Sequence, residues 1–177
     1  KSTNSCALIR HCVNCGQGRS IITGLKYFLN KTSCTQVITF DADGQHIASD
    51  AIDLAKYFHD NNLDALFGSR FLEKNKTNLS FTRKLLLKTA NLFEKYALGI
   101  NISDSHNGLR VLSRKACYLL ESINCSKMAH ATEIPYALQK NNIKIHEYPC
   151  NIKYFKNKKS SSPLSSLNIV SEIIQNK

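Results

Sequence analysis

Short apolar runs that read as strands alternate with helical patterns along the first part of the chain. The strand-like runs are Cys6 to Cys12, Gln36 to Phe40 and Asp64 to Phe67. Helical patterns lie between them, the first with apolar positions at Ile22 and Leu25. Parallel strands need long crossover connections, which are usually helices. The sequence therefore predicts the α/β class, with a mostly parallel sheet flanked by helices.

The spacing of apolar residues predicts which faces of two later helices are buried. The second helix is expected to take Ser49 as its N-cap, to cover Asp50 to His59, and to bury Ile52, Ala55 and Phe58. The third is expected over Thr82 to Leu98. Its predicted inward residues, all on one side of the helix, are Leu85, Leu86, Thr89, Phe93 and Ala97.

Two acids directly follow the second strand-like run. Asp41 and Asp43 flank Ala42, and Gly44 then allows a sharp turn. Because alternate residues of a strand point the same way, both carboxylates can converge where the strand ends. With the side-chain amide of Gln45 they form an oxygen-rich group that suits Mg²⁺ or Mn²⁺. The alternative is a turn in which the acids only cap backbone amides.

Two glycine-containing turns mark other ends of predicted elements. Gly16 and Gly18 precede the first helix, where such a turn can approach a phosphate or simply turn tightly. Gly68, Ser69 and Arg70 close the third strand-like run. Ligands of open α/β sheets bind at the carboxyl ends of the strands. We therefore expect the Gly-Ser-Arg turn and the acid pair to border one ligand region.

The chain is strongly basic. Lys and Arg number 24 against 13 Asp and Glu, a formal net charge of +11. This balance favours phosphate-rich partners, namely nucleic acid, a nucleotide or an anionic membrane face. No apolar run approaches the ~20 residues of a membrane span. The seven cysteines include one close pair, Cys12 and Cys15, and their scatter favours a reducing, cytosolic setting over a disulfide framework.

Several short motifs, taken together and in order, resemble one known family. The motifs are Asn14–Gly18, Phe40–His46, Gly68–Phe71, Asp104–Arg110 and Ala129–Ile134. In order and spacing they resemble the family 2 glycosyltransferases of GT-A fold, and within them the branch that transfers sugars to dolichol and polyprenol phosphates. Each motif is weak alone, whereas their combination over nearly the whole chain is specific.

The resemblance departs from the family pattern at the front of the chain. Family members open with a strand ending in Pro-x-Tyr-Asn-Glu and a second ending in an Asp-Asp-Gly-Ser type motif, which are missing here. We therefore expect that N-terminal strands precede Lys1 in a longer protein. Residues 1–159 are expected to be a partial catalytic domain, and residues 160–177 a linker with a C-terminal amphipathic helix. An inactive fragment is an alternative.

The resemblance implies a nucleotide-diphospho-sugar donor and metal-dependent, inverting transfer. The cation would offset the charge that develops on the leaving diphosphate. The residues expected to bind the donor are Gly16, Gly18, Asp41, Ala42 and Asp43. Those expected to bind the metal are Asp41, Asp43 and Gln45. The resemblance also implies a polyprenyl phosphate acceptor, whose phosphate arginine side chains could hold because guanidinium groups fit phosphate oxygens. The residues expected to hold that phosphate are Ser69, Arg70, Arg83 and Arg110.

A glycan or lipid hydroxyl acceptor would instead require a general base. Glu133 is then the first candidate and Asp104 the second. Structural roles stay open as alternatives: Glu133 can favour a helix dipole, Arg83 can be solvated, and Arg110 can form a surface ion pair. His130 is expected to be a hydrogen-bonded residue in the wall of the site.

The expected location is the cytoplasmic face of a membrane, with the protein bound peripherally. The basic tract 153–159 would contact anionic lipid, and a membrane partner protein is a further expected partner. Two other classes remain. A nucleotidyltransferase would share the carboxylates, and a nucleic-acid-binding module would use the charge. Nothing in nucleic-acid binding requires Asp41 and Asp43 at a strand end, so nucleic acid is not the expected partner.

Overall fold

The computed structural model describes residues 6–72, 81–123 and 130–153. The side chains of residues 81–84 and 86 are outside this described part. Helices and strands follow one another in the order α1 (Gly16–Lys31), β1 (Gln36–Thr39), α2 (Ala48–Asp60), β2 (Ala65–Ser69), α3 (Phe81–Leu98), β3 (Arg110–Ser113), α4 (Arg114–Leu120), α5 (His130–Lys140) and β4 (Ile145–Pro149).

The described strands form one sheet in the order β1-β3-β2-β4. β2 and β4 pair in parallel, whereas β3 is antiparallel to both β1 and β2. The predicted α/β class, a sheet flanked by helices, is confirmed. β1, β2 and β4 share one direction, as a mostly parallel sheet requires. Because β3 enters between β1 and β2 from the opposite end, only the β2–β4 pairing is itself parallel.

Helices cover both faces of the sheet, and the strand period decides which residue meets which helix. In β2, Ala65 and Phe67 point into a core formed with α1, α4 and α5. Leu66 points the other way, onto Leu54 and Phe58 of α2. All three β2 residues are fully buried. A strand buried on both faces reads as a continuous apolar run, which is the run the sequence shows.

The first strand-like run, Cys6 to Cys12, is not a strand in the structure. None of the described strands pairs with it, and an unpaired segment has no ladder to hold it extended. Leu8 is 92% exposed. The segment is tied to α1 through His11 Nε2, which lies 2.9 Å from Thr23 Oγ1. The prediction of a strand at this position is therefore wrong.

On the predicted buried side of α2, Phe58 is buried and Ala55 is half-buried, whereas Ile52 is not; the predicted inward side of α3 is wrong. α2 begins at Ala48 after Ile47, without a side-chain cap, and Ile52 is 68% exposed. In α3, Leu85 and Phe93 point outward while Asn91 and Glu94 are buried. Thr89 and Ala97 are exposed as well, and Leu86 is outside the described side chains. The polar side of α3 packs on the polar segment before β3. The spacing of apolar residues in α3 therefore does not indicate which side of the helix is buried.

Among the helices that the structure describes, none combines the length and apolar character that a membrane crossing requires. The tract 154–159 and residues 160–177, on which the domain boundary was predicted, are outside the described residues.

Candidate active site

Asp41 lies just beyond the carboxyl end of β1, and its carboxylate contacts two side chains. Oδ1 accepts a hydrogen bond from Gln17 Nε2 at 3.0 Å. Oδ2 lies 3.5 Å from His46 Nε2, and the Asp41 side chain is 39% exposed. Hydrogen bonding with His46 is the main cause that lowers the pKa of Asp41, with smaller contributions from the charges of His130 and Arg110. Asp41 is therefore ionised at neutral pH.

Asp43 is exposed and begins a tight turn. Its Oδ1 accepts a hydrogen bond from the backbone N–H of Gln45 at 2.9 Å. The capping role that the sequence left open is thus real for this carboxylate oxygen. The carbonyl of Gln45 accepts from the N–H of Lys153 at 2.9 Å, and His46 forms a β-bridge with Ile152. The turn that carries Asp43 is therefore fastened to the segment after β4.

The donor set of Asp41, Asp43 and Gln45 fits a hard divalent cation in its chemistry. All three offer oxygen, and one carboxylate is held ionised. Within residues 6–72, 81–123 and 130–153, no three His, Cys, Asp or Glu side chains converge as a complete metal site. Mg²⁺ or Mn²⁺ is commonly bound through one or two carboxylates together with substrate phosphates, and Asp41 and Asp43 supply carboxylates of that kind. The end of β1 therefore offers a set of oxygen ligands.

Gly108 borders Asp41 closely. A Cβ at this position would lie 2.3 Å from Asp41 Oδ2 and 2.9 Å from its Cγ, so only glycine leaves room for the carboxylate. The carbonyl of Gly108 accepts a hydrogen bond from Thr39 Oγ1 at 2.7 Å. The segment before β3 therefore packs directly against the predicted metal ligand.

The glycine turn before α1 is brought to the same place. Gly16 has a φ of +82°, which favours glycine, and its N–H donates to Asn14 Oδ1 at 2.9 Å. Gly18 is buried in the first turn of α1. Between them, Gln17 reaches Asp41. Sequence reasoning missed Gln17, although it lies inside the Asn14–Gly18 motif.

Arg70 and Asp104 form a buried, two-pronged ion pair. Arg70 Nε donates to Asp104 Oδ2 and Nη2 to Oδ1, both at 2.6 Å. The backbone N–H of Arg70 donates to Oδ2 as well, at 3.0 Å. The Asp104 side chain is fully buried and that of Arg70 is 8% exposed. The pair therefore helps to hold the segment before β3. The predicted roles of Arg70 as a ligand of the acceptor phosphate and of Asp104 as the second candidate base stay predictions.

Ser69 and Arg110 are buried rather than displayed. Ser69 Oγ lies 2.6 Å from Ser103 Oγ. Arg110 is 2% exposed and donates to the carbonyls of Ser105 at 2.8 Å and Ala131 at 3.3 Å. The alternative of a surface ion pair for Arg110 is therefore wrong, because its guanidinium lies in the interior, 4.6 Å over the Phe67 ring. The side chain of Arg83 is outside the described part.

The start of α5 also faces this end of the sheet. His130 is buried, and its charge contributes to the lowered pKa of Asp41. Glu133 stands in the first turn of α5 and is half-buried. The helix start is the position that the dipole role of Glu133 requires, while its role as a general base stays a prediction.

The sheet flanked by helices places the chain in the class of GT-A fold glycosyltransferases, with Asp41 and Asp43 just beyond the carboxyl end of β1. Within that class the chain belongs to glycosyl transferase family 2, whose family model matches residues 2–120.

Two relatives extend the likeness along the sequence. An uncharacterized protein of Methanocaldococcus jannaschii is 27% identical over 173 residues, covering 95% of this chain and 70% of its own length. A UDP-N-acetylglucosamine–dolichyl-phosphate N-acetylglucosaminyltransferase of Methanococcus voltae is 29% identical over 148 residues, covering 82% of this chain and 59% of its own length.

Solved structures support the fold. Glucosyl-3-phosphoglycerate synthase of Mycobacterium tuberculosis in complex with UDP superposes with a TM-score of 0.62 at 11% identity, over 90% of this chain and 54% of the synthase chain. The same enzyme with Mn²⁺, UDP and glucosyl-3-phosphoglycerate gives a TM-score of 0.59 at 12% identity, over 90% of this chain and 52% of the other. The chain thus spans about half the length of these structures.

Proposed function

We propose that this chain is part of a glycosyltransferase that moves a sugar from a nucleotide-diphospho-sugar to a polyprenyl phosphate, with a divalent cation and with inversion. The observation that carries the proposal is the ionised Asp41 beside Asp43 at the carboxyl end of β1. Membership of family 2 and the likeness to a transferase named for dolichyl phosphate support it.

Each residue at the end of β1 has a role in this proposal. Asp43, Asp41 and Gln45 would hold Mg²⁺ or Mn²⁺, which would offset charge on the leaving diphosphate. Gln17 and His46 keep the carboxylate of Asp41 in position. The glycine turn at the start of α1 approaches the donor phosphates through backbone N–H groups.

The acceptor phosphate needs no base in this proposal. A phosphate monoester is already an anion at neutral pH, so its oxygen attacks the anomeric carbon once it is positioned opposite the leaving diphosphate. The C1–O bond to the diphosphate breaks as the new C1–O bond forms, and the configuration inverts. We infer that Ser69 and Arg70, where β2 ends, and Arg83, whose side chain is outside the described part, help to hold this anion.

A hydroxyl acceptor is the second candidate. The position of Glu133 in the first turn of α5, next to the buried His130, supports it. In that case Glu133 removes the proton from the acceptor hydroxyl as the C1–O bond forms.

We also propose that the whole protein acts peripherally at the cytoplasmic face of a membrane. The net charge of +11 on this chain supports attraction to anionic lipid. A polyprenyl acceptor anchored in the bilayer would require that proximity.

The test is a transfer assay with the whole protein. Labelled UDP- and GDP-sugars are offered with Mn²⁺ and either dolichyl phosphate or phosphate-free dolichol. We expect label in the lipid phase only with the phosphate, and its loss with chelator. Asp43→Asn should lower transfer by ~10²-fold or more, while the matched control Asp53→Asn, on the exposed side of α2, keeps it. Transfer to dolichol alone, or full activity of Asp43→Asn, would overturn the proposal.

A further inference from the structure

α3 carries a buried polar side that the proposed chemistry does not use. Glu94 is 5% exposed and Asn91 is 9% exposed. Burying a carboxylate is costly unless hydrogen-bond donors surround it. The donors that surround Glu94 therefore indicate what this side chain does.

Glu94 joins three parts of the fold at one carboxylate. Its Oε1 accepts a hydrogen bond from Thr132 Oγ1 of α5 at 2.5 Å. Its Oε2 accepts from Ser105 Oγ, in the segment before β3. His106 Nε2 lies 3.5 Å from Oε1. α3, α5 and the segment of residues 103–109, which we call the 103–109 loop, are thus fastened together.

Further contacts fix the same loop along its length. Asn91 Nδ2 donates to the carbonyl of Ser103, and Asn91 Oδ1 lies 3.0 Å from Ser105 Oγ. Arg70 grips Asp104 with two nitrogens. Asn107 Oδ1 accepts the N–H of Leu109 at 3.0 Å. The loop is therefore held by side chains rather than by a strand ladder.

The far end of the loop touches the predicted metal ligand. Gly108 leaves no room for a Cβ beside Asp41 Oδ2, and its carbonyl is bonded to Thr39. Because Gly108 lies this close to Asp41, a displacement of the loop toward β1 would change the space left for the Asp41 carboxylate. The contact with Gln17 on the opposite oxygen would then change.

From these contacts we propose that Glu94 is a positioning residue for Asp41: it fastens the 103–109 loop to α3 and α5, and the loop fixes the carboxylate through Gly108. The importance of Asp41 for transfer rests on the proposed function. The positioning itself rests only on the contacts of the described residues.

The test uses one readout for position and one for reaction. The side-chain amide of Gln17 and the backbone amide of Gly108 are followed by ¹H–¹⁵N NMR well below the unfolding temperature. In Glu94→Ala both signals should shift, and in Glu94→Gln they should stay near their wild-type places, since Gln can still bond Thr132 and Ser105. Lys95→Ala, the exposed neighbour on α3, is the control that should change neither.

The reaction readout is the Mn²⁺ concentration at half-maximal transfer. Substitution of residues that orient metal ligands typically lowers metal affinity by ~10–100-fold. We therefore expect the Mn²⁺ concentration at half-maximal transfer to rise about 10-fold in Glu94→Ala and to recover in Glu94→Gln. Thr132→Val, which removes a single contact, should move both readouts the same way by less, and it serves if Glu94→Ala does not fold.

The outcomes separate the two proposals. Unmoved Gln17 and Gly108 signals in folded Glu94→Ala or Thr132→Val, with only a lower unfolding temperature, would overturn the positioning role. Wild-type transfer without any metal requirement would overturn the proposed function, while the NMR signals would still decide the role of Glu94.

Discussion

The guanidinium of Arg70 is bound to Asp104 through two nitrogens, Nε and Nη2. This pairing changes what a substitution of Arg70 measures. Arg70→Ala would leave the fully buried Asp104 carboxylate without its cation. Breaking such a pair typically costs ~3–5 kcal/mol of folding free energy. Loss of activity in Arg70→Ala would therefore report on the fold as much as on the acceptor. Glu133, half-buried at the start of α5, is the better residue for asking which acceptor is used.

Glu133→Gln should have opposite effects for the two acceptor types. With a polyprenyl phosphate, the rate of transfer should stay within a few fold of wild type, because no proton has to leave the nucleophile. With a hydroxyl acceptor, the rate should fall by ~10²–10⁴. The measurement is the pH–rate profile of transfer, with Glu121→Gln at the end of α4 as a control. An essential base near neutrality that vanishes in Glu133→Gln would contradict the phosphate reading.

At this scale the sequence predicts a residue's chemistry better than its neighbours. The Asp41 and Asp43 pair was recognisable because a buried strand ended in two acids. Gln17, Gly108 and Glu94 were not, because their roles depend on approaches between segments far apart in the chain. For Gly108 the distance to Asp41, not its local turn, decides the matter.

At the scale of the elements, one carboxylate fastens the junction of β2, β3 and α4. Ser113 caps α4 by accepting the N–H of Ala116 at 3.1 Å, and its Oγ donates to Asp64 Oδ1 at 2.8 Å. Lys115 Nζ lies 2.7 Å from Asp64 Oδ2. Asp64 thus supports the Ser113 cap of α4 from the residue before β2.

Asp64→Asn should lower stability in a pH-dependent way. Hydrogen bonding with Lys115 is the largest cause that lowers the pKa of Asp64 below its ordinary value of 3.8. A lowered folded-state pKa gives stability that is present above the unfolded value and lost as pH falls through the folded one. Since the pair is partly exposed, we expect a loss of about 0.5 kcal/mol at pH 7.

The measurement is the unfolding temperature of the two proteins at pH 7 and near pH 2. The difference between wild type and Asp64→Asn should be present at pH 7 and shrink in acid. Asp53→Asn, exposed on α2, controls for the loss of one negative surface charge. An equal difference at both pH values would show that the ion pair contributes nothing.

The helix phases show where element-level prediction fails. Ile52 and Leu85 belong to regular apolar spacings, yet both are largely exposed. α2 meets the sheet through Ala51, Leu54 and Phe58, so the prediction is right for Phe58 and one residue too late for the other two positions. Apolar spacing identified both helices correctly. It could not identify the buried side of α3, because that side meets the polar 103–109 loop.

At the scale of the whole molecule, charge is the property that the sequence determines most directly. A net charge of +11 should bind the whole protein to vesicles containing anionic lipid. Flotation with such vesicles should weaken between 0.05 and 0.5 M salt, roughly following the fall in Debye length, and neutral vesicles are the control. Flotation that ignores salt would indicate an apolar anchor in place of charge.

The fold class was also predictable at this scale, since alternation of strands and helices leaves few arrangements. The antiparallel direction of β3 was not predictable, because Arg110–Ser113 is a short buried run whose sequence does not indicate the direction of the strand. Its place between β1 and β2 follows from pairings with both neighbours.

The central claim is that Asp41 and Asp43 hold a divalent cation for a nucleotide-sugar donor. It is tested most directly by Mn²⁺ binding to the whole protein, followed by electron paramagnetic resonance with and without UDP. We predict tighter Mn²⁺ binding when UDP is present, and a loss of ~10-fold or more in Asp43→Asn but none in Asp53→Asn. Equal Mn²⁺ affinity in wild type and Asp43→Asn, with UDP present, would contradict the account.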